Sequence, residues 1–277
     1  MATLTRTLAP HPRLHAAEAA RMLGNETAKG LRLMWAHRVT LAPQLLVMGV
    51  MYLLFQLVIG GGHLVPALLP VTLYAFLAYV VGYVALLKMA AGLLEEVHAG
   101  TLEQAHLSPL RPWVLALGRL GAALAEALLT ALIVGAGLAL ALGIHLPFRP
   151  AALVPLVTTL ADVAGFALLI AGLALVVTSI GAIIHVIQGI IMLLNGALIP
   201  VAAYPPGLQL AAKLVPTTLG MDTTRRILFG HEALAGVWAD HSLPWALLHA
   251  VVMLLAGWGV YQAAIRRGLR DGRLGPS

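Results

Sequence analysis

Two carboxylates, Glu126 and Asp162, lie inside long runs of apolar residues. A charge in hydrocarbon is costly, so each must face protein or water, and three chemistries are open to it. A protonated or hydrogen-bonded carboxyl can hold helices together; an ionised one can line a route for a polar solute; one that titrates can carry protons. At about 1.5 Å per helical residue, Glu126 stands ~20 Å above Trp113, and Asp162 ~17 Å below Ala151 in the next, oppositely directed run. That arithmetic predicts similar depths. His185, Gln188 and Asn195 are the polar groups of a later run, of the kind that more often packs helices than binds ligands, although Asn195 could also line such a route.

The second concentration of chemistry is the polar stretch Leu93–Trp113, LLEEVHAGTLEQAHLSPLRPW. Leu93, Leu94 and Val97 form an apolar stripe on a short helix whose other face carries Glu95, Glu96 and His98, and Gly100 lets the chain turn. Thr101 is a good N-cap, and Gln104 three residues on can reach back to it, with Glu103 favourably placed near the positive helix end. Ser108-Pro109 repeats the device, a capping hydroxyl followed by a proline at a first helical position. The spacing predicts a compact helix-turn-helix-turn at a membrane surface, suited to meeting another protein.

Other chemistries lack their residues. The 277 residues contain no GxxxxGK[ST], hence no phosphate-cradling loop, and HExxH, GxSxG and paired-aspartate protease patterns are absent. Eleven histidines are scattered without ligand spacing, and there is no cysteine for thiolate metal sites or disulfides, so no metal site is expected. ATP hydrolysis, if used, must reside on a partner.

The segment Gly100-Thr101-Leu102-Glu103, followed by Ser108-Pro109 and the basic Arg111, resembles the cytoplasmic coupling segment of ABC-2 type transporter permeases, whose pattern is roughly E-x-x-x-GTLE-x-x-x-x-SP. The resemblance implies that Glu95, Glu96, Gly100, Thr101, Leu102, Glu103, Ser108 and Pro109 belong to a knob seated in a groove of a separate ATPase subunit. It further implies two ATPase copies carrying ATP and Mg, a second permease copy (a homodimer or a close paralogue), and no cofactor in this chain. A second stretch is similar to the same family: Gly196, Pro200, Pro206, Pro216, Asp222, Arg225 and Gly230 follow a pattern like G-x-x-x-P...P...P-x-T...D-x-x-R...G. Asp222 and Arg225, three apart on one helical face, are equally readable as a local structural pair.

The elements that must position these residues follow from composition. With 60% hydrophobic and 10% charged residues, the chain would expose too much apolar surface in water, so an all-α integral membrane protein is expected, the whole of 1–277 forming one transmembrane domain. Six runs are long enough to cross a core of ~30 Å: 41–59, 64–87, 112–143, 151–177, 180–201 and 243–263. Lys88, at the far end of the second, can snorkel. Residues 15–38 mix Met22, Leu31 and Trp35 with Arg21, Lys29, Arg32 and Arg38, predicting an interfacial helix, which the resemblance would make an elbow. Residues 1–13 have no apolar run of signal-peptide length, so no leader is expected. Residues 202–242 hold helices too short to span, Pro205-Pro206-Gly207 and Gly230 breaking the chain, and predict a re-entrant or interfacial hairpin on the outer face.

Lysine and arginine counts set the orientation. With both ends inside, six basic residues of the N-terminal segment, three around the coupling segment and four at the C-terminus are cytoplasmic, against Arg149, Lys213, Arg225 and Arg226 outside. The net charge of +6 therefore speaks to membrane orientation and not to nucleic acid. The functional expectation is the permease of an ATP-driven exporter in the cell membrane, moving a drug-like, antibiotic or lipid-like substrate. Rival readings are a polysaccharide or glycolipid ABC exporter permease, a proton-coupled secondary transporter, which should show inverted repeats that this chain lacks, and a non-transporting membrane anchor.

Overall fold

The computed structural model describes residues 16–36, 38–100, 112–177, 180–196 and 199–270, and every regular element among them is helical. The first helix, α1 (Ala16–Ala36), carries the expected amphipathic pattern. Small residues seat it along α4 (Pro112–Leu142): a Cβ on Gly30 would lie 2.6 Å from that of Ala122, and one on Gly118 would lie 2.9 Å from Glu26. Trp35 stays 69% exposed, where a bilayer interface would take it.

α2 (Arg38–Ile59) tolerates Pro43 near its start and turns most of its surface outward. Its inward polar face is short. Tyr52 donates to the Leu69 carbonyl at 2.9 Å, and Gln56, one turn on, donates to Thr72 Oγ1 at 2.6 Å. In hydrocarbon such bonds supply adhesion that apolar contact alone does not.

α3 (Leu69–His98) corrects the expected boundaries. The run expected at 64–87 begins as helix only at Leu69, and from there it continues through the short helix expected after Leu93 as one rod of 30 residues, ~45 Å long, because nothing between Lys88 and His98 breaks the ladder. Gly100 ends it as expected, at φ +67°, with its N–H bonded to the Val97 carbonyl at 3.0 Å. α4 is of the same length class, with 31 residues. Residues 101–111, including Thr101, Leu102, Glu103, Ser108 and Pro109, lie outside the described residues.

α5 (Leu153–Ala174) packs most closely on the last helix, α10 (Ser242–Arg270). Glycine allows it: a Cβ on Gly257 would sit 1.9 Å from the Gly165 carbonyl oxygen, and one on Gly172 2.8 Å from Tyr261 Cα. Between them come α6 (Ile180–Leu194), α7 (Pro206–Lys213), α8 (Thr218–Leu228) and α9 (Leu234–Ala239). Among the described residues five helices are long and apolar enough to cross a membrane. α6 is the exception among the six runs expected to span, because its 15 described helical residues cover ~22 Å. It buries Ile184, Gln188 and Ile191 along one stripe, with Asn195 buried just past its end, and leaves Ile183, Val186, Ile190 and Leu193 exposed.

The connection 202–242 is helical, in pieces of 8, 11 and 6 residues. Ile227, Leu228, Val237 and Leu243 form a small core beneath it. α8 packs on α5, where Gly220 admits the Thr159 hydroxyl.

Candidate functional site

At the Gly100 end, the two glutamates expected to meet a partner behave differently. Glu95 is exposed on the last turn of α3. Glu96 turns inward and forms a forked ion pair with Arg119 of α4, Nε to Oε1 at 2.9 Å and the second guanidinium nitrogen to Oε2. Arg119 also donates to the Tyr261 hydroxyl at 3.2 Å, so one guanidinium ties α3, α4 and α10 together at the base of the turn. Planar, two-pronged geometry makes this a rigid joint.

Higher in the same helices, Lys88 meets a carboxylate. Its Nζ lies 2.6 Å from Glu126 Oε1, with only 10% of the Glu126 side chain exposed. The contact is an ion pair without an aligned hydrogen bond. The pair forms part of the wall of a cleft of about 550 Å³ bounded by α1 and α2 on one side and α3 and α4 on the other.

Asp162 has a separate environment, so the two membrane carboxylates share no partner. Its Oδ2 accepts the Thr217 backbone N–H at 3.1 Å and its Oδ1 lies 3.0 Å from His249 Nδ1. Thr217 caps α8 with φ +82°, a left-handed conformation strained for a β-branched residue. Asp162 thereby pins the strained joint after Pro216 to α5, and through His249 to α10. Of the three chemistries open to this carboxyl, the geometry carries the first, holding helices together.

Asn195 comes together with Asp222 and Arg225 around a crevice with room for about one water between α3, α6 and α8. Arg225 bonds Asp222 Oδ1 at 3.2 Å, the local pair anticipated from their spacing. Pro206 opens α7. Farther out, Arg226 bonds both oxygens of Glu232, at 2.9 and 2.5 Å, and also Asp240. The Ser242 hydroxyl and N–H, then Arg226, pull the Asp240 carboxyl down to about 2; hydrogen bonding from Arg226 lowers Glu232.

Lys88, Arg119 and His249 are the partners that sequence reasoning did not assign. Lys88 and Arg119 carried a usable signal, because a cation flanking an apolar run close to a buried acid invites pairing. His249 carried none, one histidine among eleven. Among the described residues no group of three or more His, Asp or Glu could hold a metal ion.

Long apolar helices joined by glycine contacts, with charged groups paired between them, define a multi-pass membrane protein. The model of the ABC-2 type transporter family matches residues 26–229, and the chain belongs to that family. No curated protein matches it.

Proposed function

We propose that this chain is the permease of an ATP-driven exporter that carries a hydrophobic or amphipathic molecule out of the cytoplasm or inner leaflet. The observation that carries the reading is the family match over 26–229, which encloses the GTLE...SP segment at the turn between α3 and α4. Two ATPase subunits, each with ATP and Mg, seat the knobs of two permeases. Docking force then enters α3 and α4 together, because Glu96–Arg119 joins them at the base and Lys88–Glu126 joins them higher up. Asp162, bonded to Thr217 and His249, relays movement of α5 and α10 to the hairpin that closes the outer side. The sixth crossing is assigned to α6, which places both termini in the cytoplasm and 202–242 outside, with α7 and α8 as the re-entrant pair.

Proton coupling is the weaker reading, since both oxygens of Asp162 are engaged by Thr217 and His249 and Glu126 faces Lys88. The chain has no cysteine, which makes topology a clean test. In intact cells Glu103→Cys should react only with a membrane-permeant maleimide, and His231→Cys, exposed beyond α8, with an impermeant one as well. The reverse pattern would end the exporter reading.

A further inference from the structure

The cleft between α1, α2, α3 and α4 has a charge pattern that packing does not explain. The Lys88–Glu126 pair is only half withdrawn, with 39% of the Lys88 side chain exposed to the cleft, and apolar residues at these two positions would hold the helices as well. The pair faces a space of about 550 Å³, within the usual size of small-molecule sites. Glu126 Oε1 faces the Lys88 ammonium at 2.6 Å, so the cleft wall presents one positive and one negative group side by side. Small residues, Gly92, Ala122 and Ala123, keep the middle of the cleft wide.

Charge narrows the occupant. With Glu96 and Arg119 committed to each other, the remaining lining groups are Lys29 and Lys88 facing Glu26, Glu95 and Glu126. A purely anionic head would meet three carboxylates, and a purely cationic one two ammonium groups. A zwitterion satisfies both sets. Met34 and Leu41 line the side where α1 hands over to α2, and there the apolar Val39 and Leu46 are 78% and 69% exposed.

We propose that this cleft binds the head group of a zwitterionic phospholipid, its phosphate at Lys88 and its primary ammonium at Glu126, with the acyl chains leaving between α1 and α2. The ammonium gives Glu126 a second cation, and the phosphate gives Lys88 a second anion. The site does not depend on ATP-driven export, and it is tested without an ATPase.

The full chain, purified in detergent, is supplied with equal phosphatidylethanolamine and phosphatidylglycerol and examined by native mass spectrometry. Wild type should retain one phosphatidylethanolamine per chain with about tenfold preference, the ratio expected for one well-placed charge contact. Two variants check the location. Lys88→Met with Glu126→Leu removes both charges, and Gly92→Leu fills the cleft at a position where an added Cβ meets nothing within 4 Å. Each should abolish the preference, the second even if the first fails to fold. Soluble phosphoethanolamine, added alone, separates a lipid from a free metabolite: it should not displace the bound lipid. Equal retention of the two lipids by wild type, undiminished preference in Gly92→Leu, or displacement by phosphoethanolamine would overturn the proposal.

Discussion

Asp162 shows what a single carboxylate does when hydrocarbon surrounds it. Its two oxygens answer a backbone N–H held in a strained turn and a histidine on another helix, so removing it orphans both. Asp162→Leu should lower stability by about 3–5 kcal/mol, the range for breaking a buried pair. Asp162→Asn should cost far less, because an amide accepts from Thr217 and donates to a neutral His249. Thermal unfolding of the detergent-solubilised chain checks the order, and equal losses in the two variants would refute it. The partner was not legible in advance: Asp162 and His249 are 87 residues apart, and no local spacing encodes that contact. Asp222 and Arg225, three apart, were legible because helix geometry brings such positions together. Outside the spans, Arg226 gathers Glu232 and Asp240, whose carboxyls titrate below their ordinary values. Groups depressed in the folded state stabilise it above their unfolded values and lose that contribution as pH falls through the folded ones. The fold of 230–242 should therefore loosen as pH drops from the ordinary 3.8 of Asp240 towards about 2, followed by the fluorescence of the half-exposed Trp238. In Arg226→Ala the loosening should begin at higher pH.

Helices differ in how much of their placement can be read from local pattern. The positions of α2, α4, α5 and α10 follow from uninterrupted apolar runs, and Gly100 and Gly143 end helices at φ +67° and +65° as free glycines do. Charges misled the reading at α3: Glu95 and Glu96 suggested a separate surface helix, whereas Leu93 and Val97 continue the same buried stripe and Glu96 finds Arg119. The contact of α5 with α10 was illegible for another reason, because a glycine in an apolar run does not announce which backbone it will approach. Gly257→Ala places a methyl against the Gly165 carbonyl and should destabilise the pair by about 3 kcal/mol or more. Gly259→Ala, where an added Cβ meets nothing within 4 Å, should be nearly silent. Unfolding of both variants side by side measures the difference, and a comparable loss in each would place the close contact elsewhere.

For the whole molecule, the joints form a sequence from one end to the other: Glu96–Arg119–Tyr261 at the base, Lys88–Glu126 above it, and Asp162 with His249 and Thr217 where α8 meets α5 and α10. Such a chain of paired charges suits a machine in which force applied at one end must be felt at the other. It has meaning only if a partner applies that force at 101–111. Leu102→Asp would put an unpaired carboxylate into a protein groove, at a cost of several kcal/mol that abolishes docking, whereas Glu103→Ala should weaken it less. The decisive measurement is co-purification of the ATPase with wild-type and Leu102→Asp permease, read beside export in vesicles. The account predicts normal insertion of the variant with loss of both the ATPase and export; full ATPase recovery with normal export would contradict it.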